Sequence, residues 1–254
     1  MQERERGEPA VRIVLWNIAW RRRQSPAGRV IADVIEQHAP DLVCLTEAHT
    51  DFLPNGHLIH ARADYGYPLK EGRRKVLLWS RQPWTGIDDL GDERLPPGRF
   101  VAGTTETQLG SLRMIGMCVP WPAAHVATGR KDRRPWEDHL VYLQGLSDIL
   151  AREDHAERTL VVGDVNQFIP RKRASLRAFQ ALTDAIPPFL RLATEGAIPE
   201  LDQPAIDHLW HTADLRTVRV GALPGHDPDG RALSDHVGLF IEIQQAHDDG
   251  TAGR

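Results

Sequence analysis

Several stretches of this chain are apolar on both alternations of a strand, and each runs out on a polar residue. "VRIVLWNI" (11–18), "DLVCLTE" (41–47), "KVLLWS" (75–80) and "TLVVGDVN" (159–166) are of this kind. Such strands cannot have one face in water. They belong in sheets covered on both faces, by helices or by a second sheet. Helical patterns lie between them. "SPAGRVIADVIEQHAP" opens on Ser25 as N-cap and Pro26 at the first helical position, then puts Val30, Ile31, Val34, Ile35 and His38 on one face before Pro40. "PWEDHLVYLQGLSDILARE" (135–153) repeats Trp136, Leu140, Leu143, Leu146 and Leu150 at helical spacing. "ASLRAFQALTDAI" (174–186) is a third helix, stopped by Pro187 and Pro188. Further strands are expected at 101–108 and 111–119, joined by a hairpin turn at Leu109-Gly110, and at 205–212, 215–223 and 237–243. No repeat or linker divides the pattern. It reads as one α/β or α+β domain over 11–244, with flexible ends at 1–10 and 245–254.

A chain of 254 residues can bury a core without a disulfide or zinc staple. Its two cysteines, Cys44 and Cys118, cannot make a disulfide framework and suit a reducing compartment. The start "MQERERGEPA" lacks the apolar segment of a signal peptide, and no apolar run is long enough to span a bilayer. The expectation is a cytoplasmic, monomeric protein that does not enter membranes. Net charge is −4, so no overall field draws it to nucleic acid and local charge has to be inspected instead.

The polar strand ends suggest chemistry. Asn17 closes the first strand, Glu47 the second, and Asp164 and Asn166 follow "TLVVG". Asp207 sits in the late strand, and Ser234-Asp235-His236 precedes the last one. Each has a plainer use: Asp-x-Asn suits an Asx-turn, and Glu47 suits the first turn of a helix. Gathered at one rim, however, so many carboxylates would repel one another and resist burial. A hard divalent cation removes both difficulties, and Mg²⁺ (or Mn²⁺) prefers such oxygen ligands together with water and phosphate. A serine-hydrolase reading of Ser234-Asp235-His236 fails, because adjacent residues cannot all converge in a relay and no G-x-S-x-G elbow is present.

The ordered set "LWNI", "LTE", "GDVN", "IDHLW" and "SDH" resembles the endonuclease/exonuclease/phosphatase superfamily, over nearly the whole chain. The resemblance implies a DNase I-like, four-layer sandwich of two packed mixed β-sheets flanked by helices. It implies a Mg²⁺- or Mn²⁺-dependent phosphoric ester hydrolase; within that superfamily the basic loops with nearby tryptophans and the lack of a membrane or secretion signal favour a nuclease acting on DNA. The alternatives are a phosphatase of a soluble phosphate ester and a catalytically weakened nucleic-acid- or phosphate-binding module. By the same resemblance Glu47 and Asp235 hold the metal, Asp164 activates water, and Asn166 and Asn17 steady the phosphate side. His236 contacts the scissile phosphate and Asp207 pairs with it. One departure stands out. Where the family supplies a His or Tyr after the "RMIGMCVP" strand, this chain has Cys118 and Trp121. Either His125 or His139 takes over, or the leaving group needs less help, or activity is reduced.

Basic residues cluster at Arg21-Arg22-Arg23, at Arg73-Arg74-Lys75, around Arg130–Arg134, and at Arg171-Lys172-Arg173 with Arg177. Singly these are solvated loops. Together they would ring the site for a polyanionic phosphate substrate, nucleic acid above all. Arg21, Arg22, Trp121, His125, Arg171 and Arg173 are the expected substrate contacts. Trp20, Trp84 and Trp121, in Arg- or Pro-rich loops, are the tryptophans expected at the surface.

Overall fold

The apolar runs become strands almost residue for residue. A computed structural model describes residues 8–153 and 158–246. Its elements, in chain order, begin with β1 (Ala10–Asn17), α1 (Pro26–Gln37), β2 (Leu42–His49), β3 (His57–His60) and β4 (Arg73–Ser80). Next come β5 (Trp84–Asp88), β6 (Phe100–Thr107), β7 (Gly110–Cys118), α2 (Glu137–Arg152) and β8 (Thr159–Asp164). The last are α3 (Leu176–Ala185), β9 (Leu190–Leu192), β10 (Asp207–Thr212), β11 (Leu215–Ala222) and β12 (Leu239–Gln245). Residues 1–7 and 247–254, most of the expected flexible ends, lie outside the described residues, while Ala10 and Gln245 are strand residues.

Two six-stranded mixed sheets result, in the orders β11-β12-β1-β2-β4-β3 and β5-β6-β7-β8-β10-β9. Each holds one parallel pair, β1 with β2 and β7 with β8, and the other pairings are antiparallel. Strand β1 shows why both of its alternations are apolar. Val11, Ile13 and Leu15 face the second sheet, in one core with Met114, Leu160 and Val162. Val14 and Trp16 face the other way, onto Ile31, Val34 and Ile35 of α1. On the outside of the second sheet, Tyr142, Leu143, Leu146, Ile149 and Leu150 of α2, with Leu182 of α3, cover Ile115, Met117 and Val161. The order is helix, sheet, sheet, helices: the four-layer sandwich that the sequence implies.

Helix α1 starts as its sequence dictates. Ser25 accepts a hydrogen bond from the Gly28 N–H at 3.1 Å, and Pro26 fills the first turn. Three details differ from expectation. The β6–β7 hairpin turns on Gln108-Leu109, one residue early, with Thr107 opposite Gly110. The short strands β3, β5 and β9 were not apparent, because "HLIH", "WTGID" and "LRL" carry too few residues to show a period. Trp84 is buried, its indole N–H donating to the His57 carbonyl at 3.0 Å, whereas Trp121 is 45% exposed.

Candidate active site

Sheet topology brings the polar strand ends to one lip. β1 and β2 run parallel, so Asn17 and Glu47 lie at the same side. β12 is antiparallel to β1, so the residues before β12, Ser234 to His236, arrive beside Asn17. The Ser234 hydroxyl donates to the Asn17 carbonyl at 2.6 Å, and the Trp16 indole donates to the His236 carbonyl at 3.1 Å. In the second sheet β10 is antiparallel to β8, which sets Asp207 directly opposite Asp164. Cys118 of β7 is opposite Asp164 on the other side. The two sheets meet where Asn17 Nδ2 donates to Asp164 Oδ2 at 3.0 Å.

The acidic centre is buried. Asp164 also accepts from the Asn166 backbone N–H at 2.9 Å on its other oxygen. Asn166 has φ +56° and donates its side-chain amide to the Val119 carbonyl at 3.0 Å, which fixes the turn leaving β8. Asp207 Oδ2 and His236 Nδ1 are 2.7 Å apart. Burial pushes the Asp164 carboxyl up to about 7; His236 opposes this, and the Asp207 and Glu47 charges add to it. Burial works against a charged His236, yet Asp207 and then Asp164 outweigh it and raise the imidazole to about 10. His236 is therefore an imidazolium at neutral pH, facing the cavity.

Glu47 is not at a strand end. Strand β2 continues to His49, and Glu47 stands at a kink with φ +50° that breaks the pairing with β4 between Thr46 and Ala48. A non-glycine residue in that left-handed conformation is strained, and the Glu47 side chain lies on the cavity wall. There its Oε1 meets Lys75 Nζ at 2.5 Å. Asp235 lines the same cavity, its Oδ1 3.3 Å from the Ser234 hydroxyl oxygen.

The residues fit a divalent cation. Among the described residues, Asp207 Oδ1 is buried without a hydrogen-bond partner. Asp164 and Asp207 bring carboxylate oxygens within 4.8 Å of one another, and Glu47 adds further negative charge beside them. Hard carboxylate oxygens gathered at one lip are what Mg²⁺ and Mn²⁺ take.

The cavity above this floor has a volume of about 550 Å³. One wall is aromatic. Trp20 stacks on Tyr65 at 5.6 Å between ring centres, Tyr65 on Tyr67 at 6.1 Å, and Tyr67 on His125 at 4.3 Å. Arg73 lies 4.7 Å over Trp20, and Lys75 5.3 Å from the same ring. The Tyr67 hydroxyl takes the His125 N–H at 3.2 Å and lies 3.3 Å from the Thr128 hydroxyl, joining two loops across one side of the mouth. Trp121 stands at the rim.

Of the expected substrate contacts, only Trp121 lines the cavity. Arg21 instead donates to the Leu233 carbonyl at 2.8 Å and Arg171 to the Ala174 carbonyl at 3.0 Å. Arg173 lies over Phe168, and Arg22 is exposed away from the floor. His125 is buried behind Tyr67, its Nδ1 accepting from the Arg130 N–H at 3.2 Å. The cavity's cations are Lys70, Arg73, Lys75 and Arg99. Arg73 and Lys75 belong to a basic run that a strand's alternation divides, since Arg74 points away to His60. Arg99 was missed altogether, although a signal existed. It immediately precedes β6, which is antiparallel to β7, and so occupies the same lip as the other polar strand ends.

His139 does not take over the missing donor either. It is fully buried, with Nδ1 donating to the Pro120 carbonyl at 2.7 Å and Nε2 facing the Gln167 amide at 2.7 Å. The Gln167 amide also donates to the Ala178 carbonyl, and the Gln167 backbone carbonyl lies 3.0 Å from His208 Nε2. The pair supports the turn that carries Asn166. Burial lowers His139 to about 4, the Pro120 hydrogen bond offsetting this only in part. The folded state thus refuses a proton that the unfolded chain accepts near the ordinary histidine value. The resulting stability is fully present above that value and is lost as pH falls toward 4. Between pH 7 and 5 His139 should account for about 2 kcal/mol of lost stability. Urea denaturation of wild type and His139→Gln at both pH values checks this, the variant showing the smaller pH dependence.

Two packed sheets with carboxylates and a histidine at one lip define the DNase I-like class of phosphoester hydrolases. The chain belongs to the Endonuclease/Exonuclease/phosphatase family, whose model matches residues 14–236. Similar solved structures include an endonuclease/exonuclease/phosphatase from Beutenbergia cavernae, 19% identical, with 94% of this chain and 72% of that one covered and a TM-score of 0.63. An AP endonuclease from Archaeoglobus fulgidus is 16% identical, with 91% and 98% covered and a TM-score of 0.65. D. rerio TDP2, complexed with single-strand DNA product, is 10% identical, with 93% and 99% covered and a TM-score of 0.64. No curated protein matches the sequence. None of the helices among the described residues is long and apolar enough to cross a membrane.

Proposed function

We propose that the protein is a Mg²⁺- or Mn²⁺-dependent phosphodiesterase acting on nucleic acid, most directly DNA. The observation that carries this reading is the buried Asp164–Asp207–His236 centre at the floor of a cavity walled by aromatic rings and cations. Glu47 and Asp235 would hold the ion, which supplies a charge sink for the phosphate oxygens. Asp164, fixed on one oxygen by Asn17 and on the other by Asn166, orients the attacking water and takes its proton. A new bond from that water oxygen to phosphorus forms as the bond to the leaving oxygen breaks, the electron pair going to the leaving oxygen. The His236 imidazolium, locked by Asp207, faces the negative charge on the phosphate. Trp121 offers an exposed ring to a base, and Lys70 and Arg73 offer charge to flanking phosphates. Two buried free thiols suit a reducing, cytoplasmic setting, and the reading takes the enzyme as a monomer.

A second reading, a phosphatase of a soluble phosphate ester, is favoured by one feature. The basic runs at 21–23 and 171–173 lie outside a cavity that Tyr67 closes on one side. A panel of single-stranded DNA, duplex DNA and small phosphate monoesters separates the two. DNA cleavage with Mg²⁺ or Mn²⁺, abolished by EDTA, is the expected result. Phosphate release from monoesters without DNA cleavage would select the second reading.

A further inference from the structure

Arg99 has no role in the chemistry described so far, yet its position is costly. It is 2% exposed and lies on the wall of the active-site cavity. No carboxylate pairs with it among the described residues. Its guanidinium reaches only the Cys118 carbonyl, with Nη1 at 3.4 Å, and the Cys118 thiol at 3.9 Å. The buried acid of α2, Asp138, is engaged by Arg133 at 2.7 Å. Buried arginines are ordinarily paired, because an isolated charge in a low-dielectric interior loses far more hydration than weak contacts return. The same Cys118 thiol sits 3.9 Å from Asp164 Oδ2, so Arg99 and the acidic centre flank one sulfur from two sides. Backbone bonds hold this geometry: the Arg99 carbonyl accepts from the Cys118 N–H at 3.0 Å and from the Tyr142 hydroxyl at 2.9 Å.

We infer that Arg99 is a substrate-contacting residue, binding the non-bridging oxygens of the scissile phosphate from the β7 side of the site. This rests on the phosphoesterase reading above. It resolves the departure at Cys118 and Trp121. The strand that lacks a polar side chain for the phosphate is served by its neighbour, β6, whose N-terminal end lies at the same lip. Cys118, which lines the same cavity as Arg99, is small and leaves the guanidinium room to reach it. A guanidinium stays charged at any working pH and cannot hand over a proton. Arg99 therefore acts as a fixed charge and a two-pronged donor, the geometry that suits phosphate.

The test uses Arg99→Met and Arg99→Lys in the full-length protein, with two readouts. The first is the rise in melting temperature caused by inorganic phosphate with EDTA present. The second is steady-state hydrolysis of the best substrate of the panel. Wild type should show a phosphate-dependent shift that Arg99→Met loses and Arg99→Lys keeps only in part. Without phosphate, Arg99→Met should melt no lower than wild type, because it removes an unpaired buried charge. Its kcat should fall by on the order of 10²-fold or more with the metal saturating. A structural role alone would lower the melting temperature and leave the phosphate shift. If Arg99→Met does not fold, Arg99→Lys decides. A lysine variant with wild-type phosphate shift and kcat overturns the assignment, as does a methionine variant with both unchanged. Loss of the phosphate shift in a protein that hydrolyses nothing would keep Arg99 as an anion contact and reject the enzymatic reading. Normal turnover in Arg99→Met would do the reverse.

Discussion

Asp164→Asn will reduce kcat by between about 10²- and 10⁴-fold, the usual contribution of a general base, while the protein remains folded. Asp164 is tied to both sheets, through Asn17 on β1 and through the turn of Asn166 after β8. Asparagine has the same shape and can accept one of these two hydrogen bonds. It cannot take a proton from water. It also removes a carboxylate that stands opposite Asp207 in the sheet and that burial already disfavours. Those gains offset the lost hydrogen bond, so the thermal midpoint should stay within a few degrees of wild type. Single-turnover rates beside a melting curve check the prediction. A variant with more than a tenth of wild-type kcat would assign the base to another residue.

Gly163→Ala will cost stability on a scale rare for one methyl group. Gly163 precedes Asp164 with φ +149°, which L-residues with a side chain avoid, and a Cβ there would overlap the backbone carbonyl of Met117 on β7. The obstacle is backbone inside a parallel pair, so no side-chain rotation relieves it. We expect a loss of at least about 3 kcal/mol, read as a lowered urea midpoint or as insoluble protein. A midpoint unchanged within experimental scatter would mean that β7 and β8 are not packed as described. This also explains why the strand ends on Gly-Asp. Only glycine lets β8 bend close against β7 and present Asp164 between Cys118 and Asp207.

The fold was legible because its signal is local. Apolar runs of strand length, a Ser-Pro helix start and a Pro-Pro stop all mark their elements without tertiary information. The strands that escaped, β3, β5 and β9, are short and sit at or beside sheet edges, where pairing with a neighbour defines them more than their own pattern does. The centre of the site was legible for a related reason. Polar residues that end apolar strands must meet partners, and Asn17, Glu47, Asp164, Asn166, Asp235 and His236 line one cavity, with Asp207 hydrogen-bonded to His236 behind them.

The rim was not legible. Charge runs show where cations are dense, not which way they point. Arg21 and Arg171 spend their guanidinium groups on loop carbonyls, while the isolated Lys70 and Arg99 reach the cavity. The aromatic wall of Trp20, Tyr65 and Tyr67 joins the segment after β1 to the loop between β3 and β4, a contact no spacing rule reveals. His125 and His139 illustrate the converse: a histidine placed well in sequence can be wholly occupied by its neighbours.

The proposed site gathers polar groups from separate strand ends around one hard divalent cation. Titration of Mn²⁺ into the protein, followed by the loss of the free-ion EPR signal, tests it without any substrate. Wild type should bind Mn²⁺ at one saturable site that weakens by on the order of 10-fold or more in Glu47→Gln, with Arg21→Gln, outside the cavity, binding as wild type does. No saturable binding in wild type, or equal binding in Glu47→Gln, would contradict it.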